Sequence, residues 1–133
     1  MLNDAQLAVT SFHQVFGVPI QDVATILPRE RVNLRANWMD EEIEEFRKAE
    51  TIVEQADAIA DLVFFAIGVF VEMGIDGGKV FELVYESNMR KLGETGKPLL
   101  NEDGKIVKPN GWVSPNQEIE LWLSSVGMLS QNT

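Results

Sequence analysis

Cysteine is absent from this 133-residue sequence and histidine occurs once, at His13. Disulfides, thiolate metal sites and a cysteine nucleophile are therefore excluded. A ferritin-like di-iron centre is excluded too, because it needs two Glu-x-x-His pairs and the residue three before His13 is Thr10. Basic residues are few, 11 against 21 acids, and the net charge of −10 disfavours nucleic acid as a partner. Long apolar runs are missing as well. The most apolar stretch, Ala58–Val71, falls short of the roughly 20 residues of a spanning helix and carries Asp61. The start of the chain has no basic segment followed by an apolar one, as a secretory leader would. These absences lead us to expect a cytoplasmic protein with neither a membrane nor a nucleic-acid partner. With 45% hydrophobic residues and no repeat or low-complexity segment, residues 1–133 read as a single globular domain.

What is present is mainly helical periodicity. Asn3 is placed to cap a helix bearing Leu7, Val9, Phe12, Val15 and Phe16, which Gly17 and Pro19 end. On that helix His13 reads as a surface or packing residue rather than a substrate contact. After a linker a long helix is expected from about Arg29 to Ala49, with an inward stripe of Trp38/Met39, Glu42, Glu45/Phe46 and Ala49. Thr51 and Glu54 form a capping box for a third helix running to Met73 and stopped by Gly74. Being apolar nearly all round, that helix should be buried on most sides, which one small bundle cannot do alone, so a second subunit is expected. Asp76 caps a fourth helix, completing core helices over about 3–92. Residues 97–127 then read as a short β-hairpin turning at Asp103-Gly104 and a last helix, capped by Ser114-Pro115 with Gln117 and ending near Gly127.

Nine acids lie between Asp40 and Asp61, against only Arg47 and Lys48. Glu42 and Glu45 share one helical face, where an ordinary bundle would place leucine. Asp57 and Asp61 lie one turn apart on the next helix, with Glu54 a turn earlier. Helices joined by so short a link are antiparallel neighbours, so the two clusters can face each other. An unpaired Asp61 buried among Phe64, Phe65, Ile67 and Phe70 would be costly. Converging carboxylates without a compensating arginine call for a hard divalent cation, and oxygen ligands alone suggest Mg²⁺ or Mn²⁺. Mg²⁺ held in this way takes its remaining ligands from water and phosphates, which makes a nucleotide substrate the natural expectation. Lys91, Lys105 and Lys108 would meet those phosphates. Trp112 either covers a base or closes a small core. The plain alternative is a solvated acidic helix and ordinary surface lysines.

Glu41-Glu42-x-x-Glu45, then Asp61-Leu62-Val63-Phe64, then Gly74-Ile75-Asp76 and Glu86-Ser87-Asn88-Met89-Arg90-Lys91 resemble the all-α nucleoside triphosphate pyrophosphatases. This is the MazG-like superfamily, which includes phosphoribosyl-ATP pyrophosphohydrolases and dimeric dUTPases. The tail Asp103–Trp112 resembles its MazG-like, phosphoribosyl-ATP-pyrophosphohydrolase-like branch. The resemblance implies an all-α bundle completed by oligomerisation, as a homodimer or a tetramer. It also implies Mg²⁺-dependent hydrolysis of a (deoxy)nucleoside triphosphate to the monophosphate and pyrophosphate, in a nucleotide-pool-cleaning role. By this likeness Glu42, Glu45 and Asp61 are metal ligands and Glu41 an additional carboxylate that binds a further ion or orients the attacking water. Asn88 and Lys91 would be a nucleotide-binding pair. The family commonly has Glu where this chain has Ala58, and Asp57 is the candidate replacement, with Glu54 in reserve. Two other readings stand beside this one, a phosphoribosyl-ATP pyrophosphohydrolase and a non-catalytic nucleotide-binding helical dimer.

Overall fold

The computed structural model describes residues 2–126 and is all-helical among them: α1 Asn3–Phe16, α2 Arg29–Lys48, α3 Ile52–Met73, α4 Gly77–Met89, a 3₁₀ turn Arg90–Leu92 and α5 Asn116–Ser125. Helix α3 is the spine. The short link after α2 lays α2 along it, and α1 covers a second side; α4 leaves α3 at 115° and packs on α1 and α5.

Local chemistry accounts for the boundaries. Gly17 and Gly74 adopt the left-handed conformation that closes α1 and α3. Thr51 accepts the Glu54 N–H (3.1 Å) and its hydroxyl donates to the Glu54 carboxylate (2.9 Å), while Asp76 accepts the Lys79 N–H (3.2 Å). The linker between α1 and α2 docks on the far end of α3. There the Gln21 and Thr25 N–H groups donate to the Val71 (3.3 Å) and Met73 (2.8 Å) carbonyls in the last turn of the helix, the Val71 carbonyl also accepting the Gly74 N–H (3.2 Å). Gln6 pins α1 to the same corner, donating to the Ile75 carbonyl and accepting the Gly77 N–H, both at 2.8 Å.

Gly74 is where the corner is tightest. A Cβ there would stand 2.4 Å from the Val23 carbonyl oxygen and 2.8 Å from that of Gln21, at φ +69°. Both obstacles are backbone and cannot swing away. Gly74→Ala is expected to cost about 2–4 kcal/mol, combining left-handed strain with overpacking, as read from urea unfolding.

Several expectations change. Leu2, not Asn3, occupies the N-cap of α1, and Asn3 is its first residue. The β-hairpin reduces to a turn closed by one antiparallel bridge, Leu100 to Ile106, with no strand among the described residues. The reason is local: Asn101 Oδ1 accepts the Asp103 and Lys105 N–H groups (2.9 Å each), and Pro98 and Pro109 bound the segment without donors. Pro115 takes the N-cap position of α5, with no side-chain cap from Ser114, and the expected end at Gly127 lies outside the described residues.

The core is small. Val9, Ile67 and Val71 form it, with Ile20 packed alongside. Helix α3 is not covered all round in the single chain, because only α1 and α2 pack along it; Ile52 is 82% exposed, and Ile59, Val63 and Phe64 are exposed too.

Candidate metal centre and phosphate cleft

Glu42 on α2 is the electrostatic centre of the acidic region. One of its carboxylate oxygens, Oε2, is shut off from water and has no hydrogen-bond partner. Its pKa is pushed up to about 7, first by loss of solvent, then by the adjacent Glu45 carboxylate, and then by the charges of Asp61 and Asp57. The structure therefore brings Glu42, Glu45, Asp57 and Asp61 into one electrostatic neighbourhood. An orphaned carboxylate oxygen amid three further acids suits a hard cation. Among the described residues, however, no group of three or more acids is already arranged to hold a metal ion.

Other acids of the region have other surroundings. Glu41 is exposed. Glu44 pairs with Arg47 (3.7 Å) and Lys48 (3.8 Å) on the solvated face. Glu54 is held by Thr51 at the start of α3, whereas Asp57 acts on Glu42. Ala58 is fully buried, at 1% exposure.

The expectation of a buried Asp61 is corrected: Asp61 is exposed in the single chain, although it lies close enough to α2 for its charge to act on Glu42. The buried acid of α3 is Glu72, 2% exposed, and its partners are arginines. Arg31 donates to it through Nε (2.8 Å) and Nη2 (2.9 Å), and Arg35 Nε donates to the same carboxylate. Arg35 Nη2 donates to His13 Nε2 (3.2 Å), and His13 Nδ1 donates to the Pro19 carbonyl (2.9 Å), which fixes a neutral imidazole with its proton on Nδ1. Trp38 lies under both guanidinium groups, 5.7 Å from Arg31 and 5.2 Å from Arg35. This network, with His13 buried in a packing role, ties α1, α2 and α3 together. Sequence reasoning missed it, although arginines at i and i+4 followed by Trp38 at the next turn were a usable signal. A 170 Å³ pocket lined by Phe12, His13, Arg35, Trp38, Phe64 and Phe65 adjoins it. Trp38 and Phe65 each stand four residues from a carboxylate, Glu42 and Asp61 respectively, so the pocket lies about one helical turn from the acids.

Burial alone would raise the Glu72 pKa, but the hydrogen bonds from Arg31 and Arg35 outweigh it and hold the carboxyl below its ordinary 4.5. Burial drives His13 below 6.5, against the opposing Pro19 bond and with help from Arg35. Both depressed values favour the folded state at neutral pH and lose that contribution in acid, His13 as pH falls through 6.5 and Glu72 below 4.5. Glu42, with its raised value, acts in the opposite sense between 4.5 and 7 and is silent below. A shallow profile between pH 7 and 4.5 and a steep loss of melting temperature below 4.5 are expected in thermal melts.

The predicted phosphate-binding residues also meet. Asn88 and Lys91, at the end of α4, line a cleft of about 360 Å³ with Lys105 and Ile106 from the bridged turn. The Lys91 and Lys108 ammonium groups each lie 5.1 Å from the centre of the Trp112 ring. Trp112 in turn donates Nε1–H to the Ser87 carbonyl (2.8 Å).

A sequence profile described as phosphoribosyl-ATP pyrophosphohydrolase matches residues 9–88, a span that holds all four clustered carboxylates and Asn88. No curated protein matches the chain.

Proposed function

The chain belongs to the phosphoribosyl-ATP pyrophosphohydrolase family, and from that premise we propose that it is a divalent-metal-dependent, cytoplasmic nucleoside triphosphate pyrophosphohydrolase, releasing pyrophosphate and a (deoxy)nucleoside monophosphate. The observation that carries this reading is the buried, unpartnered Oε2 of Glu42 among Glu45, Asp57 and Asp61. Those four carboxylates would hold Mg²⁺, or Mn²⁺ in its place. When bound, the ion supplies charge neutralisation on phosphate oxygens and a water that loses its proton more readily. Glu41, exposed beside them, would orient the attacking water and accept its proton. Lys91, Lys105 and Lys108 offset the charge that the acids would otherwise repel. The apolar pocket of Phe12, Trp38, Phe64 and Phe65 receives the base.

The carboxylates and the lysine cleft belong to different helix groups. Asp61 is separated from the start of the α4 corner by about 18 Å of α3, and α4 turns onto α1 and α5. A homodimer joining the exposed apolar sides of α3 and α4, where Ile59, Val63, Phe81 and Tyr85 lie open, would bring one copy's lysines to the other's acids.

The test is a panel of ordinary and damaged nucleoside triphosphates, with phosphoribosyl-ATP included because the family match is equally consistent with it. Pyrophosphate release in Mg²⁺ that EDTA abolishes is the expected result. Orthophosphate as the direct product would place the protein in another hydrolase class. Nucleotide binding without turnover would make it a non-catalytic helical binding protein.

A further inference from the structure

Most cations of this chain are already engaged. Arg31 and Arg35 hold Glu72, Arg47 and Lys48 meet Glu44, Lys79 meets Glu82, and Arg90 meets Glu118. Lys91, Lys105 and Lys108 have no carboxylate partner among the described residues, although acids outnumber bases almost two to one. Lys91 and Lys105 line one cleft and Lys108 shares the Trp112 ring with Lys91; unpaired ammonium groups gathered in this way repel each other, and something must hold them there.

Trp112 is placed to do so. Its indole N–H is bonded to the carbonyl of Ser87, itself 1% exposed, and its backbone N–H closes a turn onto Pro109 (3.1 Å). The ring is thus fastened to the end of α4 and cannot swing away. With Lys91 and Lys108 both 5.1 Å from its centre, it gathers one cation from α4 and one from the tail. Lys105 lines one cleft with Lys91, and the Asn88 amide there, without a side-chain hydrogen bond among the described residues, supplies both a donor and an acceptor.

We infer that Trp112 is a positioning residue that assembles Lys91, Lys105 and Lys108 into a clamp for a diphosphate group. The Lys91 and Lys105 ammonium groups and an amide around about 360 Å³, with the Lys108 ammonium held on the same Trp112 ring as Lys91, match a compact anion of several negative charges rather than a single carboxylate. The identity of that group as the β,γ-diphosphate that leaves during hydrolysis rests on the proposed reaction. The anion-binding property does not. A clamp of this kind makes inorganic pyrophosphate a competitive product inhibitor and favours triphosphates over diphosphates.

Calorimetric titration of the full chain with inorganic pyrophosphate in EDTA separates the two. Wild type is expected to bind; Trp112→Leu is expected to weaken binding by about tenfold, Trp112→Phe by less, and Lys108→Gln comparably to Trp112→Leu. Lys97→Gln, a tail lysine outside the cleft, is expected to leave binding unchanged. In turnover assays Trp112→Leu raises KM for the triphosphate while kcat is retained, which general loosening of the fold would not do. Pyrophosphate binding without any turnover would overturn the hydrolase and leave the clamp standing. Turnover with no pyrophosphate binding in EDTA, or with equal affinities in wild type and Trp112→Leu, would overturn the clamp alone. If Trp112→Leu fails to fold, Trp112→Phe and Lys108→Gln decide by the same comparison.

Discussion

Glutamine in place of Glu42 is expected to raise the melting temperature of the metal-free protein at pH 8 while cutting Mg²⁺-dependent pyrophosphate release by at least about 100-fold. The stability gain follows from linkage. The Glu42 carboxyl sits near 7 in the folded chain against an ordinary 4.5, so the unfolded chain gives up its proton first. Stability is therefore lost as pH rises from 4.5 through 7, and above 7 the whole penalty is present. Glutamine keeps the shape without the charge and removes a penalty on the order of 2 kcal/mol, reduced from the full shift because water still reaches part of the side chain. The loss of activity follows from the same oxygen. Removing an outer-shell partner of a metal ligand already costs 10–100-fold, so removing a ligand should cost more. Added Mg²⁺ discriminates further. It should raise the wild-type melting temperature at pH 8 by mass action and leave Glu42→Gln almost unmoved. If EDTA melts at pH 8 were identical for the two proteins, Glu42 would not be the strained acid described here.

How legible this centre was in the sequence differs from residue to residue. Glu42, Glu45, Asp57 and Asp61 could be brought together on paper because helical phase and a short link leave little freedom, and in the folded chain Glu42 feels the other three. Helix ends were legible where a glycine or a side-chain cap governs them, as at Gly17, Thr51, Gly74 and Asp76. The side of α3 that stays open was not, since an all-round apolar helix carries no phase, and this is why Asp61 was expected to be buried. Glu72 escaped notice because it lies one residue past Val71, where the apolar run ends, and its arginines are 37 and 41 residues away. The tail misled in another way. Alternation and Asp103-Gly104 suggest a hairpin, but Asn101 supplies its own side-chain acceptor and only one bridge survives.

Truncating Glu72 to alanine is expected to be the most damaging single change to stability, at about 3–5 kcal/mol in urea unfolding, a large share of the 5–15 kcal/mol typical of a domain. The cost arises less from lost attraction than from what remains. Arg35 is 3% exposed, and its other polar contacts are a neutral imidazole and the Phe65 carbonyl at 3.4 Å, so its charge would be buried without an anion. Glu72→Gln keeps an oxygen acceptor for the two guanidinium groups and should cost less, about 1.5–3 kcal/mol. Replacing Arg31, Arg35 and Glu72 together by apolar residues of similar volume should recover much of the loss, because no unpaired charge is left behind. The contrast between single and triple replacement isolates desolvation from attraction. It also bears on the metal centre. Arg31 and Arg35 stand on α2 and Glu72 on α3, so the ion pair sets how these two helices lie against each other, and with that the approach of Glu42 and Glu45 to Asp57 and Asp61. A triple variant that is stable yet gains less from Mg²⁺ in its melting temperature would show that the buried charges hold the helix register, whereas an undiminished Mg²⁺ response would show that apolar packing along α3 is enough.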